Sequence, residues 1–543
     1  MNKTFKIVFN KARGALMVAN EITGSVQKKG VSAILITAAA ALSATTANAD
    51  SAYTWNETIP EINSPTIVID GVKGSSAGND YYGVHVTPKA SGKLGDLVLD
   101  ISAIGPKDGT HADFQVIGFA NNNNVVKGDV GSPNTELSGS SLDIKIKTDF
   151  VGGGNNQVAA IMFNQNGKIS ANNVSLDVAS TAENGKSVYG MEVGQGTLTI
   201  ASRNINITLN TATDRGESKD AGHYYSEANG IDIFSNSTVD ASSISSLVIK
   251  GTSSGKTATT NGVNGGSSIT GIVFEGGTGN FGGTTHIELS AVGGNATGVK
   301  ATNYFYNSTM GENWGDATGT LNNLDAAVSS ELATAAAVGV AYNGAKDNTV
   351  LLAIKGDSNL IAKTNTGKAY GINLSGKTTA EILGNIAIDV SASGEKGVAY
   401  GVNVSEGNVN LGSSGTTLKI NAKAADAEAV DIVKGGTVSF GDASKKLSDV
   451  SLNTNGSTFT AYLSESTLNV YSNNYSQTGS GHGLYVTHGS SLTMDVDSFD
   501  STNDYTAIHT RNSEKSVANV TAKTFKATAT GDDTGVALLQ FNE

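Results

Sequence analysis

The chain of 543 residues contains no cysteine. An exported chain without cysteine cannot form disulfides, and wrong disulfides cannot trap it during transit. Proline is scarce too, with 5 residues, so glycine and proline together stay below the share typical of disordered, low-complexity chains. The net charge of −13 argues against general nucleic-acid binding, which needs a basic surface. We therefore expect no nucleic-acid partner.

Glycine, in contrast, is abundant, with 66 residues. That share is about 12%, against a usual share of about 7%. Only 16% of the residues are charged. This balance indicates many tight turns and few helices. The chain is also longer than one ordinary globular core allows, whereas the core of a solenoid grows lengthwise with each added repeat.

Residues 398–424 show the pattern that recurs along the chain. Apolar residues alternate with polar ones in three short runs, which are separated by two turns that contain glycine. The alternating apolar positions are Val402, Val404, Val409, Leu411, Leu418, Ile420 and Ala422. Period-two alternation indicates strands with one buried face. The unit therefore predicts three short strands that cannot bury their apolar faces without neighbouring units.

Each unit opens with a small residue, the anchor, just before its first inward apolar residue. We place the anchors at Gly83, Gly118, Ala160, Gly190, Gly230, Gly271, Gly298, Gly339, Gly371, Gly401, Ala429, Ala461, Gly483, Ala507 and Gly535. Their mean spacing of roughly 32 residues lies within the range of solenoid repeats. The sequence therefore predicts an all-β fold, a parallel β-helix of roughly fourteen coils. The Ala-rich segment from Leu324 to Ala337 is expected to form a short helix on its surface.

Several units carry long polar insertions, which in repeat arrays form loops that leave the coil and often serve recognition. These insertions span 210–227, 251–268 and 303–324. The third contains the aromatic residues Tyr304, Phe305, Tyr306 and Trp314. Aromatic side chains on a loop can anchor a partner or stack on sugar rings. The alternative is that they fold back and shield the side of the coil.

The first 49 residues have the features of a secretory leader. A basic section is followed by an apolar run of 14 residues, 31–44, which is shorter than the about 20 residues that span a bilayer. Small residues at Ala47 and Ala49 then precede Asp50, as signal peptidase requires. We predict a helical leader over 1–49 with cleavage after Ala49. Residues 50–82 would hold an N-terminal cap with the first strands, and residues 83–543 the repeats.

The basic section has a specific sequence. Its characteristic residues are Met1-Asn2-Lys3, Phe5-Lys6, Phe9-Asn10, Gly14, Val18 and Asn20-Glu21. This section resembles the extended signal peptide region of type V secreted proteins, the autotransporters and their two-partner relatives in Gram-negative bacteria. The resemblance implies export by the inner-membrane machinery. It also implies a β-helical passenger that is displayed at the cell surface, at the outer membrane, or released.

The chain departs from that family at its end. A conventional autotransporter ends in a membrane barrel of alternating strands of about ten residues, whereas here the repeats run almost to Glu543. We therefore expect membrane anchoring only through a translocator barrel that this chain does not contain. A truncated or split product remains an alternative. The N-terminal NPNL-type motif of the two-partner class is not found either.

Two short segments resemble sites of known chemistry. Gly356–Leu360 is similar to the nucleophile block of GDSL lipases, but the inserted Asn359, the position within a repeat and the missing downstream Asp-x-x-His favour a turn. Asp495–Asp504 brings four carboxylates close together and could hold calcium, but it lacks the Gly and Glu of an EF-hand loop. We interpret it as a solvated turn with Asp495 pointing outward. The equivalent positions of neighbouring units would form a polar ladder of Asn410, Ser439, Asn469 and Asn519.

Catalysis has little support in the sequence. Polysaccharide lyases also use β-helices and need carboxylates beside an Arg or Lys base, but Arg203, Arg215 and Arg511 stand isolated. The histidines show no paired metal-ligand spacing, and no cofactor motif is found. We expect a protein that is not an enzyme and acts by adhesion or self-association, on host or bacterial surface glycans or proteins. A β-helical polysaccharide-acting enzyme is the alternative.

Overall fold

The computed structural model of the protein describes residues 5–10, 15–20, 51–55, 59–62, 66–72, 80–86, 92–104, 115–121, 135–149, 157–180, 187–212, 227–234, 237–255, 268–303, 315–341, 349–456, 458–511, 515–531 and 538–541. Within these segments the chain forms 43 strands and no helix.

The leader contributes two of these strands. They are β1 (Phe5–Asn10) and β2 (Ala15–Asn20), which pair in antiparallel fashion. The described part of the leader is therefore extended, where we expected helix. Its aromatic and β-branched residues, such as Ile7, Val8 and Phe9, favour strand over helix. The apolar run 31–44 and the cleavage residues Ala47, Ala49 and Asp50 lie outside the described residues.

Sixteen strands form one long parallel sheet, the first face. They are β3 (Ser51–Trp55), β6 (Asp80–Val86), β9 (Gln115–Asn121), β12 (Gln157–Phe163), β15 (Ser187–Val193), β18 (Glu227–Phe234), β21 (Ser268–Glu275), β23 (Ala296–Thr302), β25 (Ala335–Ala341), β28 (Lys368–Ser375), β31 (Val398–Ser405), β34 (Asp426–Val433), β37 (Phe459–Ser464), β39 (His482–Thr487), β41 (Ile508–Arg511) and β43 (Leu538–Phe541).

The other 25 strands form the second and third faces. Short strands of the second face are β4 (Ile59–Ile62), β7 (Gly92–Leu94), β10 (Thr135–Leu137), β13 (Gly167–Ile169), β16 (Gly196–Ile200), β19 (Ser237–Ala241), β26 (Val350–Ile354), β29 (Thr379–Ile382), β32 (Asn408–Leu411) and β35 (Thr437–Phe440). Strands of the third face are β5 (Thr66–Val72), β8 (Leu97–Ile104), β11 (Ser141–Asp149), β14 (Asn173–Ser180), β17 (Asn204–Thr211), β20 (Ser246–Ser253), β27 (Ser358–Thr364), β30 (Ile386–Ala392), β33 (Thr417–Lys423) and β36 (Leu447–Asn455). Five long strands run through both faces, namely β22 (Thr278–Ala291), β24 (Ala317–Ser330), β38 (Thr467–Gly479), β40 (Ser491–Asn503) and β42 (Val517–Ala529).

Each strand pairs in parallel with its counterpart one coil further along the chain. Val402, for example, pairs with Ile372 on one side and with Val430 on the other. Ile388 of the third face pairs with Ile420 in the same way. Like positions therefore stack on like, and the predicted all-β, parallel β-helix is confirmed. The segment 50–82 contains β3, β4 and β5, which pair with β6, β7 and β8.

The apolar positions predicted from the alternation line the inside of the column. In the unit 398–424, Val402, Val404 and Leu411 are fully buried. They belong to one continuous core cluster that extends from Val84 to Ile508. Burying one such side chain stabilises the fold by about 1.5–3 kcal/mol, so stacking supplies the burial that a single coil lacks.

The anchors mark a break in the alternation, where two consecutive residues face inward. A Cβ built on Gly371 would lie 2.5 Å from the carbonyl oxygen of Gly401 in the next coil and 2.2 Å from Ile388 Cγ2. Only a small residue fits such a position without a local shift. The same close approach to the next coil recurs at Gly83, Gly118, Gly190, Gly230, Gly271, Gly298, Gly401 and Gly483.

Two predicted anchors are wrong and one lies outside the described residues. The register places Ala337, not Gly339, opposite Gly298, because Thr297 pairs with Ala336 and Val299 with Val338. By the same reasoning Thr460, not Ala461, occupies the anchor of β37, since Ala461 pairs with Val430. Gly535 lies outside the described residues.

The helix expected from Leu324 to Ala337 is not present, because these residues belong to β24 and β25. Leu324, Ala326 and Val328 alternate inward and stack between coils. This packing overrides the helix propensity of an Ala-rich segment.

The turn between the second and third faces carries a ladder of side-chain hydrogen bonds. Asp357 Oδ1 accepts from the backbone N–H of Asn385 at 2.8 Å, and Asn385 Oδ1 accepts from that of Thr417 at 3.1 Å. The predicted turn is confirmed for residues 355–357, between β26 and β27, whereas Ser358, Asn359 and Leu360 belong to β27, with Ser358 buried.

The segment Asp495–Asp504 is not a turn for most of its length, because β40 continues to Asn503. Asp495 and Asp497 face outward and form ion pairs with Lys446 at 2.8 and 3.5 Å, and Lys523 lies 2.9 Å from Asp497. The register also places Thr493, rather than Asp495, in the polar ladder. That ladder runs through Asn410, Ser439, Asn469, Thr493 and Asn519.

Candidate functional site

The aromatic residues proposed for surface contact cannot be placed in the fold. Tyr304, Phe305, Tyr306 and Trp314 lie outside the described residues, so their role stays a prediction. The outer surface of the described coils presents other candidate sites.

In the middle of each first-face strand two side chains point outward, one just before the anchor and one two residues after it. From β28 to β41 these positions form a continuous row of aromatic, amide and acidic residues, which we call the strip. Its members are Tyr370, Asn373, Tyr400, Asn403, Glu428, Asp431, Phe459, Tyr462, His482, Tyr485 and His509. Parallel pairing brings these residues together although about thirty residues separate one coil from the next.

The C-terminal half of the strip is an aromatic cluster. The ring centroids of Phe459 and Tyr485 are 4.4 Å apart, and those of Tyr462 and Tyr485 are 6.0 Å apart with nearly parallel planes. His509 lies 4.6 Å from Tyr485. Tyr505, with 45% of its surface exposed, extends the cluster beside His482 at 5.2 Å. Aromatic pairs at these distances are held in place and form a rigid surface.

The N-terminal half of the strip combines tyrosines with amides. Tyr370 and Tyr400 lie with ring centroids 5.8 Å apart. Asn403 Nδ2 donates to Asn373 Oδ1 at 2.7 Å. Both amides are half-buried and lie beside the tyrosines. This half can therefore offer apolar and hydrogen-bonding contacts together.

Two carboxyl groups separate the halves. Burial raises the pKa of Glu428 well above its usual range, and the carboxylates of Asp431 and Asp426 raise it further. Burial, followed by Asp426, raises the pKa of Asp431 to about 6, while Lys368 acts in the opposite direction. Glu428 Oε2 is buried and has no hydrogen-bond partner among the described residues. A buried polar atom of this kind calls for a partner from outside, such as water or a ligand.

The strip positions carry no fixed positive charge from β28 to β41. Burial lowers the pKa of His482, and burial together with His482 and Arg511 lowers that of His509. Both imidazoles are therefore neutral at pH 7. Neither strip position holds Lys or Arg in these coils, and the exposed Lys368 and Arg511 lie on β28 and β41 beside the two ends of the strip. The strip thus suits a neutral partner better than an anionic one.

A second group of perturbed carboxyls lies further upstream on the same face. Burial and the neighbouring Asp232 raise the pKa of Glu192 to about 8, and burial and Glu227 raise that of Asp232 to about 7. Asn229 Nδ2 donates to Asp232 Oδ2 at 2.7 Å, and Lys300 lies two coils beyond. Glu192 is only 9% and Asp232 only 1% exposed. Their burial keeps a polymer from reaching them.

A shallow groove of about 600 Å³ crosses the second face near the N-terminal end of the column. Lys93, Glu136 and Lys168 line it, and Lys168 Nζ lies 3.4 Å from Glu136 Oε1. The hydroxyl of Ser170 and then the lysines lower the pKa of Glu136, which therefore stays ionised and offsets one of the two positive charges. The groove is a weaker candidate for that reason.

Metal and membrane features are not found in the described residues. They contain no group of three or more His, Cys, Asp or Glu that could hold a metal ion. The described segments also lack a helix of the length and apolarity that crossing a bilayer requires.

The strip was not predicted from the sequence, because each of its residues is ordinary in its own unit. A signal did exist, since Tyr-Gly pairs stand at Tyr370-Gly371 and Tyr400-Gly401. The register was needed to align Glu428, Phe459 and His482 with them.

The leader agrees with a known family. Residues 1–49 match the family described as Extended Signal Peptide of Type V secretion system, which confirms the resemblance carried by its basic section. No curated protein and no solved structure matches the chain significantly. Cleavage after Ala49 stays a prediction. The chain is thus an exported protein of type V secretion, in which an extended signal peptide precedes a β-helical passenger.

Proposed function

We propose that the passenger acts by binding, as an adhesin or self-association protein at the cell surface or after release. The strip is the observation that carries this proposal. It is a rigid outer surface of aromatic, amide and acidic side chains that spans six coils, and aromatic residues on rigid elements are typical anchors of binding surfaces.

The rival function is that of a β-helical polysaccharide-acting enzyme. The perturbed pair Glu192 and Asp232, with Lys300 nearby, favours it, because shifted carboxyls often mark catalytic sites. The burial of both carboxyls favours the binding proposal instead, since a general acid or base must reach its substrate. We propose that this pair is structural and that the protein is not an enzyme.

An adhesion assay tests the proposed function. Beads coated with the exported chain, residues 50–543, should adhere to cells, to glycan- or protein-coated surfaces, or to one another, whereas beads coated with the unfolded chain should not. The same preparation should leave polysaccharides intact. Polysaccharide turnover that Asp232→Asn abolishes would overturn the proposal and support the enzyme.

A further inference from the structure

We propose that the strip binds a neutral, hydroxyl-rich polysaccharide, with sugar rings against its aromatic side chains and sugar hydroxyls hydrogen-bonded to its amides and carboxyls. This inference rests on the proposed binding function and names the class of ligand.

The size of the strip suits a single polymer chain better than a protein. Five coil steps of about 4.8 Å give a length of about 24 Å, and three residues along a strand give a width of about 10 Å. The resulting area of about 240 Å² is well below the about 800 Å² that each partner contributes to an ordinary protein interface. A short stretch of a linear glycan covers such an area.

The chemistry of the strip matches that of a sugar ring. A pyranose ring has a face of C–H groups and a rim of hydroxyls, so it needs an apolar surface beside hydrogen-bonding groups. Tyr370 and Tyr400 supply the apolar surface beside the amides of Asn373 and Asn403. Phe459, Tyr462 and Tyr485 extend the apolar surface along the strip.

The charge of the strip selects among glycans. Its outward positions hold acids but no Lys or Arg from β28 to β41, and its two histidines are neutral at pH 7. An anionic glycan would meet the Asp431 carboxylate, while the cations Lys368 and Arg511 lie beside the two ends of the strip rather than within it. Each coil contributes one pair of side chains, a step similar in length to one sugar ring, so successive sugars can contact successive pairs.

Titration calorimetry with soluble polymers tests the proposal. The probes are dextran, galactomannan and arabinoxylan as neutral polymers, polygalacturonate as an anionic one and chitosan as a cationic one. The exported chain should bind at least one neutral polymer. Tyr485→Ala should weaken that binding about tenfold or more, as loss of an aromatic anchor does, whereas Tyr485→Phe should keep it within about threefold.

Tyr471→Ala is the matched control, because Tyr471 is also a half-buried, outward tyrosine but lies on β38 of the other sheet. It should leave binding unchanged. Asn403→Ala is a second strip variant with a smaller effect on packing, and thermal unfolding of each variant checks that the fold is kept.

Several results would overturn the proposal. They are binding to polygalacturonate or chitosan alone, no binding to any of the five polymers, or equal losses in Tyr485→Ala and Tyr471→Ala. If coated beads still adhere while no polymer binds, the ligand class is wrong and the binding function stands. If neither is observed, both fail.

Discussion

The size of the side chain decides how well a residue fits an anchor. At Gly371 a Cβ would meet the carbonyl oxygen of Gly401 and the side chain of Ile388, while at Gly339 the nearest atom would be Thr297 Cγ2 at 3.6 Å. The two glycines look alike in the sequence, but Gly371 is inside the column and Gly339 is on its outer surface. Substitution should therefore separate them.

Gly371→Val should lower the free energy of unfolding by about 1–3 kcal/mol or more, because the side chain overpacks the inside of the coil. Gly339→Val should change it by less than about 0.5 kcal/mol, as outward substitutions usually do. Urea unfolding followed by circular dichroism measures both. Equal losses in the two variants would contradict the assignment of the anchors.

The anchors also show which residues can be predicted from the sequence and which cannot. Glycine anchors such as Gly371 and Gly401 could be predicted because an apolar residue follows each in a clear alternation. The sequence favours Gly339 because Val340 follows it, and only the register shows that Ala337 occupies the anchor. Thr460 was missed because a polar residue was not expected at an inward position.

At the scale of elements, stacking overrides local preference. The Ala-rich segment of β24 and β25 is extended because its neighbours in the column are extended. The acidic segment of β40 continues as strand because Val496 and Phe499 keep facing inward. The sequence thus predicts the three-stranded unit, whereas the bounds of merged strands depend on contacts between coils. The strip could not be predicted for the same reason.

The buried carboxyls of Glu192 and Asp232 and their hydrogen-bond partners lie on three neighbouring strands, β12, β15 and β18. Glu192 accepts a hydrogen bond from Gln157, and Asp232 accepts one from Asn229. In the unfolded chain the two carboxyls ionise near their usual pKa values of 4.5 and 3.8, whereas in the fold they keep their protons to about pH 8 and about pH 7. Between about pH 4 and about pH 8 the folded state therefore binds more protons than the unfolded chain.

The stability contributed by these protons should be present below about pH 4 and should be lost as the pH rises to about 8. The urea midpoint should accordingly fall between about pH 5 and about pH 8. The double variant Glu192→Gln, Asp232→Asn should show a smaller fall, because neither amide titrates. Asp143→Asn, at an exposed position of β11, is the control. A fall of unchanged size in the double variant would show that the pair is not its cause.

At the scale of the whole molecule, the column is a stack whose core is continuous from coil to coil. Such a stack needs no disulfide, which agrees with a chain that has no cysteine. The leader accounts for export, and the outer surfaces remain open to partners. The binding proposed for the strip depends on this stacking, because its residues come from six separate coils.

The absence of cysteine permits a direct measurement of the stacking. Asp143, Asn359, Lys419 and Asp500 occupy one outward position of the third face, at increasing coil number. Cysteine substitutions would carry spin labels at Asp143 and at one of the other three. Asn359, Lys419 and Asp500 lie six, eight and eleven coil steps from Asp143. The distances from the label at position 143 should therefore be about 29, 38 and 53 Å. Pulsed electron–electron double resonance should find distances between the two spin labels that grow in proportion to the number of coils between them. Distances that do not increase in this order would contradict the column and the strip built on it.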